Sequence, residues 1–334
     1  MTHAALAETG FVERTYVDCI RQAQQRLLRE DDRVVIFGED VGAFGGAFKA
    51  TLGLQEEFGA DRVFDTPISE SAIIGSAIGM ATQGLRPIIE MQFLDFMNTA
   101  LHQLINNAAT IHFRTGNAVP MTVRAPCGGG FGGGPFHSEE LETIFCHVPG
   151  LKVVYPAFPC DARGLLVSAV EDPNPVVYLE NKYLYRHVKE SLSDDFEPVP
   201  IGVARVCRRG SDATIITYGA MVHESLAAAD VLAAEERQVM VVDLRTLKPY
   251  DHDTIIAAVS ATNRVLVVHE AWRCCGFGAE IAAGIAERGF HLLDAPIMRV
   301  AAPDIPIPFA PTLESVYRPS AGTIVEALRE LIEY

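Results

Sequence analysis

The chain has 334 residues, 49% hydrophobic and 21% charged, which is ordinary for a globular protein and long enough for two domains. Its formal net charge of -16 disfavours nucleic acid and anionic membrane as partners, because both would repel it, whereas a basic protein would be attracted. The N-terminus lacks a secretory pattern, and no apolar run approaches the ~20 residues of a membrane span, so we expect a cytoplasmic protein. The seven cysteines include no C-x-x-C, so we do not expect a metal bound by cysteine.

Short β-branched runs alternate with longer helical stretches in the first part of the chain. Runs such as Val176 to Tyr178 are continuously apolar, which predicts parallel strands covered by helices on both faces. A helix of small residues is predicted from Ala72 to Thr82. The predicted strands of this part are Arg33 to Phe37, Arg86 to Phe93, Met121 to Arg124, Leu151 to Tyr155 and Pro175 to Leu179.

A polar, proline-bearing segment, His187 to Pro200, separates this series from a second one. We therefore expect domains at residues 1–195 and 196–334. The second series of predicted strands is Ala213 to Tyr218, Val239 to Leu244, Arg264 to His269 and Ile297 to Ala301, with alanine-rich helices such as Ser225 to Glu235 between them. The predicted fold class is α/β, with two domains that each hold a mostly parallel sheet with helices on both faces.

The most unusual segment is the loop after the Met121 strand, where six of the seven residues from Gly128 to Gly134 are glycine. Glycine costs conformational entropy that a merely connective loop would avoid, so this loop indicates a function. It contains G-x-G-x-x-G, but Pro126 and Pro135 bracket it and no acidic residue ends the next strand, which disfavours a nicotinamide dehydrogenase. His137, which follows the loop, could be a helix-start histidine or a functional one.

Other polar residues follow the predicted strands, where ligands of parallel sheets collect. Glu70 at a helix start has a structural explanation, because the helix dipole stabilises a carboxylate there by about 0.3 to 1 kcal/mol. Phe96 fits ordinary packing, and Glu39 beside Asp40 fits a solvated loop. Trp272, the only tryptophan, follows a strand end and could fill an interface.

Several long motifs, in order along nearly the whole chain, resemble one family: the β subunit of the thiamine-diphosphate-dependent decarboxylating component of 2-oxo acid dehydrogenase complexes, in the transketolase-like superfamily. The motifs are Phe37-Gly-Glu-Asp-Val41, Arg62 to Glu70, Pro149 to Val154, Tyr218 to Glu224, Asp243 to Thr246, Glu270-Ala271, Asp294 to Pro296 and Arg299 to Asp304. The resemblance implies a transketolase-like pyrimidine-binding domain, followed by a transketolase C-terminal-like domain for assembly and docking.

The resemblance also assigns candidate site residues. Glu70 matches the glutamate that hydrogen-bonds the aminopyrimidine ring of thiamine diphosphate, which is acid–base catalysis relayed through the cofactor. Phe96 matches an aromatic residue that packs on that ring, and we expect Gln92 and Glu39 to contact the cofactor as well. His137 matches a histidine that assists substrate binding and acyl transfer, although Ser138-Glu139 follows it where many relatives have Ser-Gln.

The same resemblance implies ions and partners. Met121, Ala169, Asp172 and Asn174 match positions whose oxygens hold a structural potassium ion in some members. No Gly-Asp-Gly, the start of the family's Mg²⁺-diphosphate motif, occurs in the chain. An α subunit would therefore hold Mg²⁺ and the diphosphate half of each site in an α2β2 heterotetramer, which docks to a lipoyl acyltransferase core.

The predicted function is oxidative decarboxylation of a 2-oxo acid with reductive acylation of lipoamide, active only with the α subunit. Motifs typical of pyruvate-type members and of branched-chain members both occur, so the substrate stays open between the two. An acetoin-cleaving or carboligating relative and a non-catalytic interaction subunit remain as alternatives.

Overall fold

The computed structural model describes residues 11–334, which cluster into two compact units. The first unit comprises residues up to Cys127 and His147–Ile201, and the second comprises Gly128–Cys146 and Gly202–Tyr334. The glycine loop, which the sequence analysis placed in the first domain, therefore clusters with the second unit. The predicted boundary at 195 and the roles of the two domains stay predictions. We describe each unit by itself.

The first unit contains a parallel sheet and a two-stranded antiparallel ribbon. Its strands are β1 (Phe11–Thr15), β2 (Val34–Gly38), β3 (Val63–Asp65), β4 (Arg86–Glu90), β5 (Thr122–Cys127), β6 (Lys152–Val154), β7 (Val176–Asn181) and β8 (Lys189–Ser193). Six of them form the parallel sheet in the order β6-β7-β5-β4-β2-β3, and β1 pairs antiparallel with β8.

Helices follow the strands as the alternating pattern predicts. Those wholly within the first unit are α1 (Tyr16–Glu30), α2 (Leu54–Phe58), α3 (Glu70–Thr82), α4 (Ala109–Thr115), α6 (Pro159–Glu171) and α7 (Leu184–His187), while α5 (Glu142–His147) ends at the boundary between units. A 3-10 segment and a π-helical segment, Leu94–Ala100 and Gln103–Ala108, follow β4. Every residue of β2, β5 and β7 is buried, as expected for strands covered on both faces.

The second unit repeats this architecture in smaller form. Its strands are β9 (Arg205–Arg208), β10 (Ala213–Thr217), β11 (Val239–Asp243), β12 (Thr246–Lys248), β13 (Val265–Trp272) and β14 (Met298–Ala302), and its later helices are α8 (Met221–Ala233), α9 (His252–Thr262), α10 (Phe277–Gly289), α11 (Pro311–Tyr317) and α12 (Ala321–Ile332). The sheet order is β14-β13-β10-β11-β9, parallel except for the edge strand β9. The predicted α/β class with parallel sheets is confirmed.

Two expectations need correction or restatement. The predicted strand Arg86 to Phe93 ends at Glu90, because the chain turns into the 3-10 segment. Trp272, for which an interface was one possibility, packs within the second unit against Ala302, Ile307 and Tyr317 and donates its indole N–H to the Ile305 carbonyl. Among residues 11–334, no helix combines the length and apolar character that crossing a bilayer requires.

Candidate functional site

The strand order creates a crevice between β2 and β4. These strands are neighbours, but the chain leaves β2 toward β3 on one side and leaves β4 toward β5 on the other. The two loops therefore diverge at the carboxyl edge of the sheet, which is where open α/β sheets bind ligands. A Cβ at Gly38 would lie 2.5 Å from the Glu90 carbonyl oxygen, so glycine is needed where the two strand ends approach.

Glu39 follows β2 and lies at this edge, but it is not the solvated loop residue that its neighbours suggested. Only 7% of it is exposed, whereas Asp40 beside it is exposed. Burial raises the pKa of Glu39, and the negative charges of Glu70 and Asp40 raise it further. Glu39 and Glu70, which are 31 positions apart in sequence, are thus electrostatic neighbours within the first unit.

Glu70 is the first residue of α3 and is half-buried. The Thr99 hydroxyl lies 3.1 Å from Glu70 Oε2 and 2.9 Å from the Phe96 carbonyl oxygen. The Ser71 hydroxyl donates to the Thr99 carbonyl at 2.5 Å, which fixes the start of α3 against the 3-10 segment. Thr99 therefore connects the predicted catalytic carboxylate to the segment that carries the predicted aromatic residue.

Gln92 and Phe96 occupy the loop after β4. Gln92 donates from its side-chain amide to Asp40 Oδ2 at 3.0 Å, and this bond bridges the two diverging loops. The half-buried Phe96 ring packs edge-on against Phe93, with centroids 5.6 Å apart, and Phe93 contacts Phe48 in the same manner at 5.5 Å. Packing of these three rings against one another stabilises the loop.

His137 lies in the second unit, at the end of the glycine loop, and is half-buried. Its backbone N–H lies 3.4 Å from the Gly134 carbonyl oxygen, which closes the single turn Gly134–Phe136. The loop leads into this short turn and not into the long helix that a dinucleotide fingerprint requires. The structure thus brings Glu39, Glu70, Gln92 and Phe96 together in one unit and places His137 in the other.

The four predicted potassium ligands lie in the first unit, close to the amino end of β5 and the carboxyl end of α6. The Asp172 carboxylate pairs with Lys152 and accepts from the backbone and side-chain N–H groups of Asn174 at 2.9 and 3.0 Å. The Met121 carbonyl accepts from Val176 N–H at 2.9 Å. Within residues 11–334, no cluster of three or more His, Cys, Asp or Glu could hold a metal ion, so an ion here would depend on backbone oxygens.

Thr99 is a polar residue of this site that sequence reasoning missed. Asp40 could be noticed because it stands beside Glu39. No sequence pattern indicated a functional role for Thr99, because a threonine on an exposed helical turn is common. The residues present fit an aminopyrimidine ring: Glu70 supplies a carboxylate oxygen, Phe96 an aromatic surface and Gln92 a polar amide. They do not fit a diphosphate, because Glu39, Asp40 and Glu70 would repel it.

The chain matches two family models. The family model for the transketolase pyrimidine binding domain matches residues 13–188, and that for the transketolase C-terminal domain matches residues 202–324. A solved structure described as a split-gene transketolase, inactive β4 tetramer, superposes with a TM-score of 0.78 over 96% of this chain and 98% of that chain. At 23% identity this likeness concerns the fold alone.

Curated relatives are much closer in sequence. The 2-oxoisovalerate dehydrogenase subunit beta of Bacillus subtilis (strain 168) is 47% identical, and the pyruvate dehydrogenase E1 component subunit beta of the same organism is 44% identical. The pyruvate dehydrogenase E1 component subunit beta of Staphylococcus aureus (strain Mu50) is 46% identical. Each alignment covers 96% of this chain and 99% of the relative. The resemblance read from the motifs is confirmed: the chain belongs to the family of β subunits of the thiamine-diphosphate-dependent decarboxylating component of 2-oxo acid dehydrogenase complexes.

Proposed function

We propose that this chain supplies the aminopyrimidine half of a thiamine diphosphate site and that Glu70 is its catalytic carboxylate. The observation that carries the proposal is the position of Glu70 at the crevice edge, with Thr99 on one oxygen and the acidic Glu39 nearby. Thiamine diphosphate bound there would supply the carbon nucleophile that attacks the 2-oxo carbon. Glu70 holds a proton at the ring nitrogen, Phe96 packs on the ring, and Gln92 with Asp40 keeps the two loops together.

The diphosphate and Mg²⁺ are held by an α subunit. The chain has no Gly-Asp-Gly, and the acidic crevice edge would repel phosphate oxygens. Two large apolar side chains of the first unit, Ile68 and Phe113, are 82% and 95% exposed in the single chain. An α2β2 assembly would bury such surfaces and complete each site.

His137 assists substrate carboxylate binding and acyl transfer to the lipoyl group of an acyltransferase core. The net charge of -16 suits docking of a basic domain of that core. The substrate is a 2-oxo acid of the pyruvate or branched-chain type, because relatives of both names are about equally similar. A cytoplasmic location is part of the same proposal.

A structural potassium ion would stabilise the turn after α6. The helix ends at Glu171, where the dipole favours a cation. The Ala169 carbonyl has Pro173 four positions on, and proline has no N–H to donate to it. Backbone oxygens of Met121, Ala169, Asp172 and Asn174 would form the ligand set.

Co-expression with the α partner tests the proposal. The assembly should decarboxylate pyruvate or a branched-chain 2-oxo acid only with added thiamine diphosphate and Mg²⁺, and the isolated chain should be inactive. Substrate profiling that includes acetoin separates the acetoin-cleaving alternative. Turnover by the isolated chain, or failure of every α-like chain to associate, would refute the proposal.

A further inference from the structure

The glycine loop uses its backbone N–H groups to bind two carboxylates of the same unit. Gly129 N–H donates to Glu270 Oε1 at 2.8 Å, while Gly130 and Gly132 N–H donate to Glu314 Oε1 and Oε2 at 2.8 and 2.9 Å. Successive N–H groups that point to one side form an anion-binding concavity. Here the anion is the protein's own Glu314, which accepts one bond on each oxygen.

One of the two carboxylates, that of Glu270, is itself held by an arginine. The Arg318 guanidinium donates to both oxygens of Glu270, at 2.8 and 3.2 Å. Arg318 caps the carboxyl end of α11, four residues after Glu314. Glu270 and Glu314 are only 7% and 4% exposed, and charge-assisted bonds in such surroundings are among the stronger ones in proteins. We call Glu270, Glu314 and Arg318 the carboxylate clasp.

The clasp explains why the loop is made of glycine. A Cβ at Gly129 would lie 2.9 Å from Glu314 Oε1 and 3.3 Å from Arg318 Cδ. Gly130 and Gly132 have φ of +93° and +76°, which other residues adopt only with strain. At Gly129 the two carboxylates can approach the backbone this closely only because the residue lacks a side chain.

We propose that Glu314 is a positioning residue that fixes the glycine loop and thereby holds His137 in place. Its two bonds end at Gly132, and only Gly133 and the turn Gly134–Phe136 separate that anchor from His137. Without Glu314, Gly130 and Gly132 would lose these two hydrogen bonds, although Gly129 would keep its bond to Glu270. The inference depends on the proposed role of His137, but the binding of the loop by Glu314 does not.

Amide hydrogen exchange tests the clasp directly, on the full chain in its αβ assembly. Glu314→Gln keeps one acceptor oxygen but turns an NH₂ donor toward the second N–H, so it cannot satisfy both glycines. We expect exchange at Gly130 and Gly132 to accelerate by roughly tenfold or more, with Gly129 changed less. Glu330→Gln, the same change at an exposed glutamate of α12, should leave all three amides unaltered. Unchanged exchange in Glu314→Gln would overturn the clasp.

Kinetics test whether the clasp acts through His137. Glu314→Gln should raise the KM for the 2-oxo acid and slow acyl transfer to lipoamide by at least about fivefold, without loss of assembly. The double variant Glu314→Gln/His137→Ala should be no slower than His137→Ala alone, since two residues that act through one group are not additive.

The outcomes separate this inference from the proposed function. If the wild-type assembly lacks thiamine-dependent turnover, the proposed function fails and the exchange result still decides the clasp. If turnover of the wild type is normal but the rate losses of Glu314→Gln and His137→Ala multiply in the double variant, Glu314 acts as a general structural residue and the positioning role is refuted. Glu314→Asp, which keeps the charge but shortens the side chain, provides a second variant should Glu314→Gln fold poorly.

Discussion

Glu70 shows how far a single residue can be interpreted from local sequence. Its place at a helix start has an ordinary explanation in the helix dipole, and only the surrounding motifs favoured catalysis. The structure adds Thr99 and Glu39, which come from other segments of the first unit. Such contacts depend on the strand order of the sheet, so periodicity and spacing could not have supplied them.

Arg124 is a buried charge that the catalytic proposal does not use. Its side chain is fully buried and donates to Glu180 at 2.6 and 2.7 Å and to Glu90 at 2.5 Å. Arg124→Met should destabilise the protein by about 3 to 5 kcal/mol, because two buried carboxylates lose their counter-ion. Burial already raises the pKa of Glu90, so the loss should be larger at pH 8 than at pH 5.

Urea unfolding of the two proteins at each pH measures this loss. Arg33→Met is the matched control, because Arg33 pairs with Asp31 at the surface, where solvent screens an ion pair and leaves it little effect on stability. Equal losses of unfolding free energy in the two variants would show that the buried network stabilises the protein no more than the surface pair does.

His269 provides a pH-dependent prediction in the second unit. Burial, together with the positive charges of the nearby Arg299 and Arg273, lowers its pKa from 6.5 to about 4. The unfolded chain therefore binds a proton between pH 6.5 and 4 that the folded chain does not. The corresponding stability is fully present above pH 6.5, is lost as the pH falls toward 4, and amounts to at most about 3 kcal/mol.

Unfolding free energies at pH 7, 5.5 and 4.5 should show this loss in the wild type and in His291→Gln, which changes an exposed histidine. They should show a smaller loss in His269→Gln, because glutamine does not titrate. The same pH dependence in all three proteins would contradict the assignment to His269.

At the scale of elements, the strands that are buried on both faces were the ones best predicted from the sequence. Short runs rich in apolar and β-branched residues predicted β2, β5, β7, β10 and β11, which are fully buried, and β13, which is buried except at Trp272. The ribbon of β1 and β8 was missed, since its residues are exposed or half-buried and carry little apolar periodicity. The edge strand β9 was missed for the same reason.

The cap of α12 gives a test at this scale. Ser320 Oγ accepts from Thr323 N–H at 3.4 Å, and Thr323 Oγ1 accepts from Ser320 N–H at 3.0 Å, which forms a capping box. Ser320→Ala should cost about 1 kcal/mol of unfolding free energy. Ser211→Ala, at an exposed loop serine, should change it by less than about 0.5 kcal/mol. Indistinguishable denaturation midpoints would exclude a stabilising cap.

For the whole molecule, the family and the fold class could be inferred from the sequence, because long motifs are visible there. The need for a second chain, inferred from a missing motif, stays a prediction. The hydrogen bonds that hold the glycine loop could not be inferred from the sequence. Its partners Glu270 and Glu314 lie 141 and 184 positions beyond the glycines they bind, in segments with no local sign of that contact.

The central claim is that Glu70 acts on a cofactor whose diphosphate is held by another polypeptide. Its most direct test is the turnover of a Glu70→Gln assembly with the α partner, at saturating thiamine diphosphate, beside Glu56→Gln, which alters an exposed glutamate of the same unit. We expect Glu70→Gln to assemble normally and to lose about 100-fold or more in turnover, with Glu56→Gln unaffected. Full turnover by an intact Glu70→Gln assembly would contradict the account.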